Sequence, residues 1–267
     1  MAYKPKQDPH TGLLHLRNPA SSPGYWRYHP SPELAPYIEH HWTVEWDLAG
    51  PVLRETLPYP CANLVLEPGR AELAGVQTKK FSRTLSGRGR VLGTKFRAGG
   101  LRAFIDAPVS GFTDRVLPLD EVFGPAARDL DSRALIHEDH HAAIAVLEGF
   151  LLGLGPSHDP DIGLAGEVVA RIAEDRELKS VEELAATFDV SKRRLQRLFV
   201  DYVGTSPKWV IRRYRLQEAA EVMAAAETID WPQLAADLGY ADQAHFIREF
   251  KRLVGKTPAD YRRKLSN

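Results

Sequence analysis

The pattern of apolar and polar positions divides the chain into two parts. In roughly the first third, proline and glycine interrupt the sequence every few residues, and the short runs between them alternate in character. In one run Trp42, Val44 and Trp46 alternate with Thr43 and Glu45, the period-two pattern of a half-buried strand. Further strands are predicted over residues 62–66, 73–77, 81–85 and 91–96. Short strands separated by turn residues indicate a small barrel or sandwich.

Helical periodicity dominates the remainder. Helical runs cover residues 100–105, 119–130 and 138–152, and after Asp161 no strand pattern is left. Glycine and proline break the pattern in between, so we predict an α+β chain of two domains. The predicted boundaries are an N-terminal strand-rich domain with helices at 1–153, a linker at 154–161 and an all-α domain at 162–267.

The all-α part contains one sequence pattern twice, over residues 180–207 and 230–258. Leu184-Ala185-Ala186 recurs as Leu234-Ala235-Ala236, and Gly204 with Pro207 recurs as Gly255 with Pro258. Each copy predicts a helix, a tight turn and a second helix. Ser180 and Glu183 form a capping box in the first copy, and Asp230 with Gln233 is its near equivalent in the second. Between the copies, residues 207–226 predict one long helix that joins two helix-turn-helix units.

Charge is distributed unevenly along the chain. The 35 basic and 35 acidic residues cancel, which would argue against nucleic acid if they were mixed evenly. Residues 161–190 contain eight acidic and three basic side chains, whereas residues 191–216 contain eight basic ones with Asp201 as their acidic neighbour. A basic surface of this kind can hold phosphates while the whole chain stays neutral.

Residues ~165–265 resemble the DNA-binding domain of the AraC/XylS family. The most diagnostic stretch is residues 239–262, GYADQAHFIREFKRLVGKTPADYR, which departs from the family pattern mainly in the His245-Phe246 pair. The resemblance implies a sequence-specific transcription regulator that binds an operator in double-stranded DNA. It also implies that helices at ~192–201 and ~243–252 enter two successive segments of the major groove.

Side chains at the exposed start of each such helix would contact bases, since arginine can pair with guanine and glutamine with adenine. The predicted base contacts are Arg193, Gln196 and Arg197 in the first unit and Gln243, Ala244, His245 and Arg248 in the second. The predicted phosphate contacts are Lys192, Arg194, Lys251, Arg252 and Lys256. For Arg212, Arg213 and Arg215 the alternative is a solvated or ion-paired face of the long helix.

The same resemblance implies that the N-terminal domain, often cupin-like in this family, senses a small-molecule effector or forms a homodimer. Residues 94–104 are similar to a recurrent motif of one such domain type. The aromatic side chains Trp42, Trp46, Tyr59 and Phe96 are candidates to line an effector pocket, with plain core packing as the alternative.

Two features of the N-terminal part invite a chemical interpretation. His137 and His141 would share a helix face, but no third ligand stands at recognisable spacing, so we predict neither a metal nor a cofactor. Cys61 raises the alternative of an enzyme or alkylation-repair protein that its second half delivers to DNA. We favour a buried structural thiol, because one cysteine cannot build the zinc site of such repair proteins.

Cellular location follows from what the sequence lacks. A single cysteine excludes an internal disulfide, and residues 1–10 have no apolar signal core. The most apolar run, residues 142–155, is too short to span a bilayer. We therefore expect a cytoplasmic protein without a membrane partner.

Overall fold

The computed structural model describes residues 24–226 and 228–265, so the predicted start of the N-terminal domain and residues 1–10 lie outside the described part. The first half forms a six-stranded antiparallel sheet in the order β1-β2-β5-β3-β4-β6. Its strands are β1 (Gly24–Tyr28), β2 (Ile38–Thr56), β3 (Asn63–Glu67), β4 (Arg70–Ala74), β5 (Phe81–Phe96) and β6 (Val116–Pro118). The strand-rich first half is confirmed, with the long β2–β5 pair as its centre.

Helices fill the remainder of the described chain. Those of the first half are α1 (Leu119–Phe123), α2 (Leu130–Leu135) and α3 (His140–Gly153), with short 3₁₀ turns at Gly100–Phe104, Val109–Phe112 and Pro125–Ala127. Those of the second half are α4 (Pro160–Glu174), α5 (Val181–Thr187), α6 (Lys192–Leu198), α7 (Pro207–Ala225), α8 (Trp231–Asp237), α9 (Gln243–Val254) and α10 (Pro258–Leu265). The predicted all-α second half is confirmed. None of the described helices is both long enough and apolar enough to cross a bilayer.

Helix α3 covers one face of the sheet. Its Leu147 and Leu151 are fully buried in one core with Leu64, Leu92 and Phe96 of strands β3 and β5. Burial of such side chains from water is the main source of stability for this layer.

The tryptophans of β2 lie on the opposite face of the sheet from α3. Trp42 pairs with Gly93 across the strands, and a Cβ atom at Gly93 would come within 2.2 Å of the indole, so the ring covers the glycine. Trp46 covers Gly89 in the same way. Both indoles are half-buried. The strand prediction is therefore right, but within residues 41–46 the buried side chains are the polar His41 and Thr43 on the other face.

The two halves share core residues. Ile162 of α4 is buried in the core of the first half, and Leu57, which follows β2, is buried in the core of the second helix-turn-helix unit. The connection between the halves is short, because α3 ends at Gly153 and α4 begins at Pro160. The linker at 154–161 stays a prediction, and the halves on its two sides pack against each other through these buried residues.

Candidate functional site

The first helix-turn-helix unit consists of α5 and α6. Ser180 accepts from the backbone N–H of Glu183, and the Glu183 carboxylate accepts from the N–H of Ser180, so the predicted capping box is confirmed. Ser191 caps α6 by accepting from the N–H of Arg194. The turn between the helices places Asp189 at a φ of 49°, a conformation that aspartate tolerates better than most residues.

The second unit repeats this construction with α8 and α9. Asp230 caps α8 through the N–H of Gln233, and Asp242 caps α9 through the N–H of His245. Gly239 takes the turn position that Asp189 holds in the first unit, with a φ of 78°.

Each unit buries its own small core, and the two cores are built alike. In the first, Leu184 and Ala185 pack with Leu195, Leu198 and Phe199. The corresponding core of the second unit consists of Leu234, Ala235, Leu238, Phe246 and Phe250. Because these apolar stripes face inward, the opposite side of each second helix is left at the surface.

Five of the seven predicted base contacts lie on that outward side. Arg193, Gln196 and Arg197 are exposed on α6, and Ala244 and Arg248 are exposed on α9. The remaining two residues are half-buried: Gln243, and His245, whose ring meets Tyr240 edge-on at 5.2 Å between centroids. The structure therefore exposes five of the seven residues on α6 and α9 and leaves Gln243 and His245 partly buried; contacts of all seven with DNA stay a prediction.

Most of the predicted phosphate contacts already have acidic partners. Lys192 pairs with Glu182, Arg194 with Asp161 and Arg252 with Glu249. Lys251 is exposed, like Arg193, Arg197 and Arg248, and none of these four forms an ion pair with another residue of the described ranges.

Lys256 differs from the other phosphate candidates because it faces the N-terminal half. Its Nζ lies 4.0 Å from Oε2 of Glu55, and its side chain is about a quarter exposed (26%). A phosphate contact by Lys256 stays a prediction, and it would have to form beside this carboxylate.

The long helix α7 uses its arginines for packing. Arg213 and Arg215 are only 2% and 3% exposed. Arg215 donates to the carbonyls of Ile172, Asp175 and Arg176 at 2.7–3.0 Å, where α4 ends. It therefore satisfies carbonyl groups that the helix end leaves without partners. Arg212 is ion-paired with Glu249 and Arg215 with Glu218, as the ion-paired alternative states. Arg213 departs from it, because this arginine is buried and donates to the Pro58 carbonyl and to Gln217.

The aromatic effector pocket is not assembled. Trp42 and Trp46 lie on the face of the sheet opposite to Phe96, which is fully buried beneath α3. Tyr59 lies elsewhere, between Nζ of Lys95 at 4.5 Å and the guanidinium of Arg213 at 3.9 Å from its ring centroid. Side chains on opposite faces of one sheet cannot line one pocket, so that grouping is wrong.

A polar network under α3 was missed by the sequence analysis. The fully buried His41 bonds to Thr94 through Nδ1 (2.7 Å) and to Glu148 through Nε2 (3.0 Å). His140 bonds to Thr43 and to Glu45. The sequence contains a signal for this network, because the polar residues His41, Thr43 and Glu45 alternate along β2. That alternation was instead assigned to burial of the tryptophans between them.

The His137–His141 pair and Cys61 were the two candidates for chemistry in the N-terminal half. Helix α3 begins only at His140, so His137 precedes it and does not share a helix face with His141, contrary to the prediction. In the described ranges no three histidine, cysteine or acidic side chains are grouped to hold a metal. Cys61 is buried, and burial raises the pKa of its thiol to about 11, which keeps it in the unreactive protonated form.

Comparison with known proteins finds similarity in both halves. A family model described as a helix-turn-helix domain matches residues 184–264, which contain the second unit and the first unit from Leu184 onwards, within α5. A second model, a domain of unknown function (DUF6597), matches residues 26–118, which contain the described sheet except for the first two residues of β1.

Several relatives carry names of transcription regulators. The chain is 37% identical over 86 residues to the RCS-specific HTH-type transcriptional activator RclR of Escherichia coli K12, covering 32% of this chain and 30% of RclR. The match thus spans less than a third of that relative. A solved AraC-type regulator structure from Chromobacterium violaceum has 25% identity and a TM-score of 0.35, covering 40% of this chain and 94% of that one.

A shorter relative is covered over most of its length. The regulatory protein SoxS of Escherichia coli K12 is 35% identical over 86 residues, which are 32% of this chain and 79% of SoxS. Together with two complete helix-turn-helix units joined by one long helix, this similarity shows that the chain belongs to the AraC/XylS family.

Proposed function

We propose that this protein is a transcription regulator that binds a specific sequence in double-stranded DNA with α6 and α9. The observation that carries the proposal is the repetition of one exposed polar helix face at each end of α7. The 19 residues of α7 span about 28 Å. This length is close to the ~34 Å over which the major groove returns to the same side of the duplex.

The exposed side chains suit base recognition. Arg193, Arg197 and Arg248 can each grip the major-groove edge of guanine with two hydrogen bonds, and Gln196 and Gln243 can do the same with adenine. Lys251, together with the ion-paired Lys192, Arg194, Arg252 and Lys256, would hold phosphates and fix the register. Glu182, the partner of Lys192, is at the surface, where an ion pair is weak enough for a phosphate to replace it, whereas the partners of Arg194, Arg252 and Lys256 are largely buried.

The N-terminal half would regulate this binding. We take residues 1–153 as a regulatory domain, 154–161 as the linker and 162–267 as the DNA-binding domain. Support comes from the separate family model for the first half and from the buried contacts that it makes with α7. The family suggests that this domain responds to a small-molecule effector or binds a second copy of the chain. The protein would act on the chromosome, in the cytoplasm.

No observation favours the enzyme alternative. A thiol nucleophile must reach its substrate as the thiolate, whereas Cys61 is buried with a raised pKa. Exchange of Cys61 for serine should therefore leave DNA binding unchanged.

A selection experiment tests the proposal. The full chain is used to select duplexes from a random-sequence pool, and its affinity is compared between a selected and a scrambled duplex at one salt concentration. We expect a preference of about 10³ or more. Arg197→Ala/Arg248→Ala should reduce it to about tenfold. The matched control is Arg70→Ala/Arg128→Ala, which removes the same charge from exposed positions of the N-terminal half. Enrichment of no sequence would refute the proposal.

A further inference from the structure

The N-terminal half contacts both helix-turn-helix units behind their second helices. In the first unit, Gly204 follows α6 and the π-helical turn Phe199–Val203, with a φ of 89°. Thr113 Oγ1 donates to the Gly204 carbonyl at 2.5 Å. A Cβ atom at Gly204 would lie 3.0 Å from Cγ1 of Val109, so the turn packs closely on the N-terminal half.

The second unit is contacted at the equivalent residue. Gly255 ends α9 with a φ of 82°, and it corresponds to Gly204 in the sequence repeat. A Cβ atom at Gly255 would lie 3.0 Å from Nζ of Lys80. Lys80 pairs with Glu55, whose other carboxylate oxygen lies 4.0 Å from Lys256.

Residues 55–59, which we call the docking segment, strengthen the second contact. Leu57 is buried with Leu216 of α7 and with Phe246 and Phe250 of α9, so the N-terminal half completes the core of this unit. Arg213 of α7 donates from Nε to the Pro58 carbonyl at 2.8 Å. A buried contact of this kind holds a helix firmly because its loss would leave apolar surface and a charged group without their partners.

These contacts leave the predicted base-contacting faces open. Arg193, Arg197, Ala244 and Arg248 are all exposed. Because the contacts with the N-terminal half lie away from these exposed residues, they leave the residues accessible to DNA. They also fix the position of the two second helices relative to each other.

We infer that the N-terminal half sets the separation and rotation of α6 and α9, and thereby the number of base pairs allowed between the two DNA segments that they recognise. The inference rests on the proposed DNA binding. One extra base pair moves the second segment by about 3.4 Å and turns it by about 35° around the duplex axis. A rigidly held pair of helices cannot follow that change, whereas a loosely held pair can. The loosely held pair loses more conformational entropy when it binds, so its affinity is lower.

The inference is tested with the full chain on the duplex selected by the wild-type protein. Versions of this duplex have one base pair removed, or one or two added, between the two recognised segments, and a further version keeps one segment only. The test variant is Leu57→Ala. Its matched control is Leu53→Ala, which removes a leucine of the same strand region that is exposed instead of buried (54% exposed).

Wild-type protein and Leu53→Ala should lose about tenfold or more in affinity when one base pair is inserted. Leu57→Ala should lose only about threefold on the same insertion while binding the one-segment duplex as wild type does. Equal dependence on the spacer in Leu57→Ala and Leu53→Ala would overturn the inference.

A second variant covers the case in which Leu57→Ala disrupts the fold, seen as loss of binding to the one-segment duplex. Thr113→Val then removes the hydrogen bond to Gly204 at the other contact. It should relax the spacer dependence in the same direction, and an unchanged dependence would overturn the inference. These failures differ from failure of the proposed function, in which the wild-type chain would select no sequence at all.

Discussion

Arginine takes two opposite roles within one short stretch of this chain. Arg193 and Arg197 extend from α6 into solvent. Arg213 and Arg215, on the following helix α7, are buried and bond to backbone carbonyls. Composition cannot separate these roles, because both pairs belong to the same basic run. The partners separate the two pairs. Arg215 bonds to the end of helix α4 and Arg213 to the docking segment, whereas Arg193 and Arg197 have no acidic partner among the described residues.

This difference makes base contact testable at single residues. Arg248→Ala should cost about 1–3 kcal/mol on the selected duplex and relax the preference at one or two base pairs. Lys251→Ala should weaken selected and scrambled duplexes by similar factors, because a phosphate contact carries no sequence information. Melting curves accompany the affinities. A marked loss of stability in Arg248→Ala would instead assign that arginine a structural role.

A second residue-scale prediction concerns acid stability. Burial raises the pKa of Glu148, but hydrogen bonds from His41 and from the Ser31 N–H outweigh it and lower that pKa below its ordinary 4.5. A carboxyl whose pKa is lowered by folding stabilises the fold above its unfolded pKa and loses this contribution as the pH falls through the folded value. Between pH 6 and 3 the free energy of unfolding of Glu148→Gln should therefore fall less steeply than that of wild type. Parallel curves would contradict the assigned bonds.

At the scale of elements, the helices of the second half were predicted more accurately than the strands, whereas the helical run predicted at 119–130 is divided into α1, a 3₁₀ turn and the start of α2. Caps are local, so Ser180, Asp230 and Gly239 mark helix ends in any tertiary context. The two predicted strands at 81–85 and 91–96 are instead one long strand, β5. Its middle contains Gly87 and Gly89, which alone would predict a turn. Trp46 of β2 covers Gly89, whereas Gly87 takes a φ of 58° opposite Leu48.

The candidate site also has a part that the sequence predicted and a part that it could not predict. The repeat identified the helix faces, because the apolar stripe of each helix determines which residues stay outside. The role of Leu57 could not be predicted, since its partners on α7 and α9 are more than 150 positions away in sequence. Long-range packing of this kind has no local signal.

One element-scale prediction concerns the end of α4. Arg215→Met should reduce the free energy of unfolding by about 2–4 kcal/mol, because one buried and two partly buried carbonyls lose a charged donor. Arg212→Ala is the matched control on the same helix, and loss of its partly exposed ion pair with Glu249 should cost about 1 kcal/mol or less. Equal costs would show that Arg215 is not the cap of α4.

At the scale of the whole molecule, a neutral chain is expected to behave as a cation towards DNA. On α6 and α9, Arg193, Arg197, Arg248 and Lys251 are exposed and have no ion pair among the described residues, and the ion-paired Lys192, Arg194 and Arg252 would add phosphate contacts. The logarithm of the association constant should fall against the logarithm of salt concentration with a slope between about −4 and −7. A slope near zero would mean that this surface does not bind phosphates.

The central claim is that two equivalent helices contact DNA at two places, and cleavage protection on the selected duplex tests it most directly. Wild-type protein should protect two segments about 10 base pairs apart on one side of the duplex. Arg197→Ala should weaken protection in one segment and Arg248→Ala in the other. A single protected segment, or the same segment weakened by both substitutions, would contradict the account.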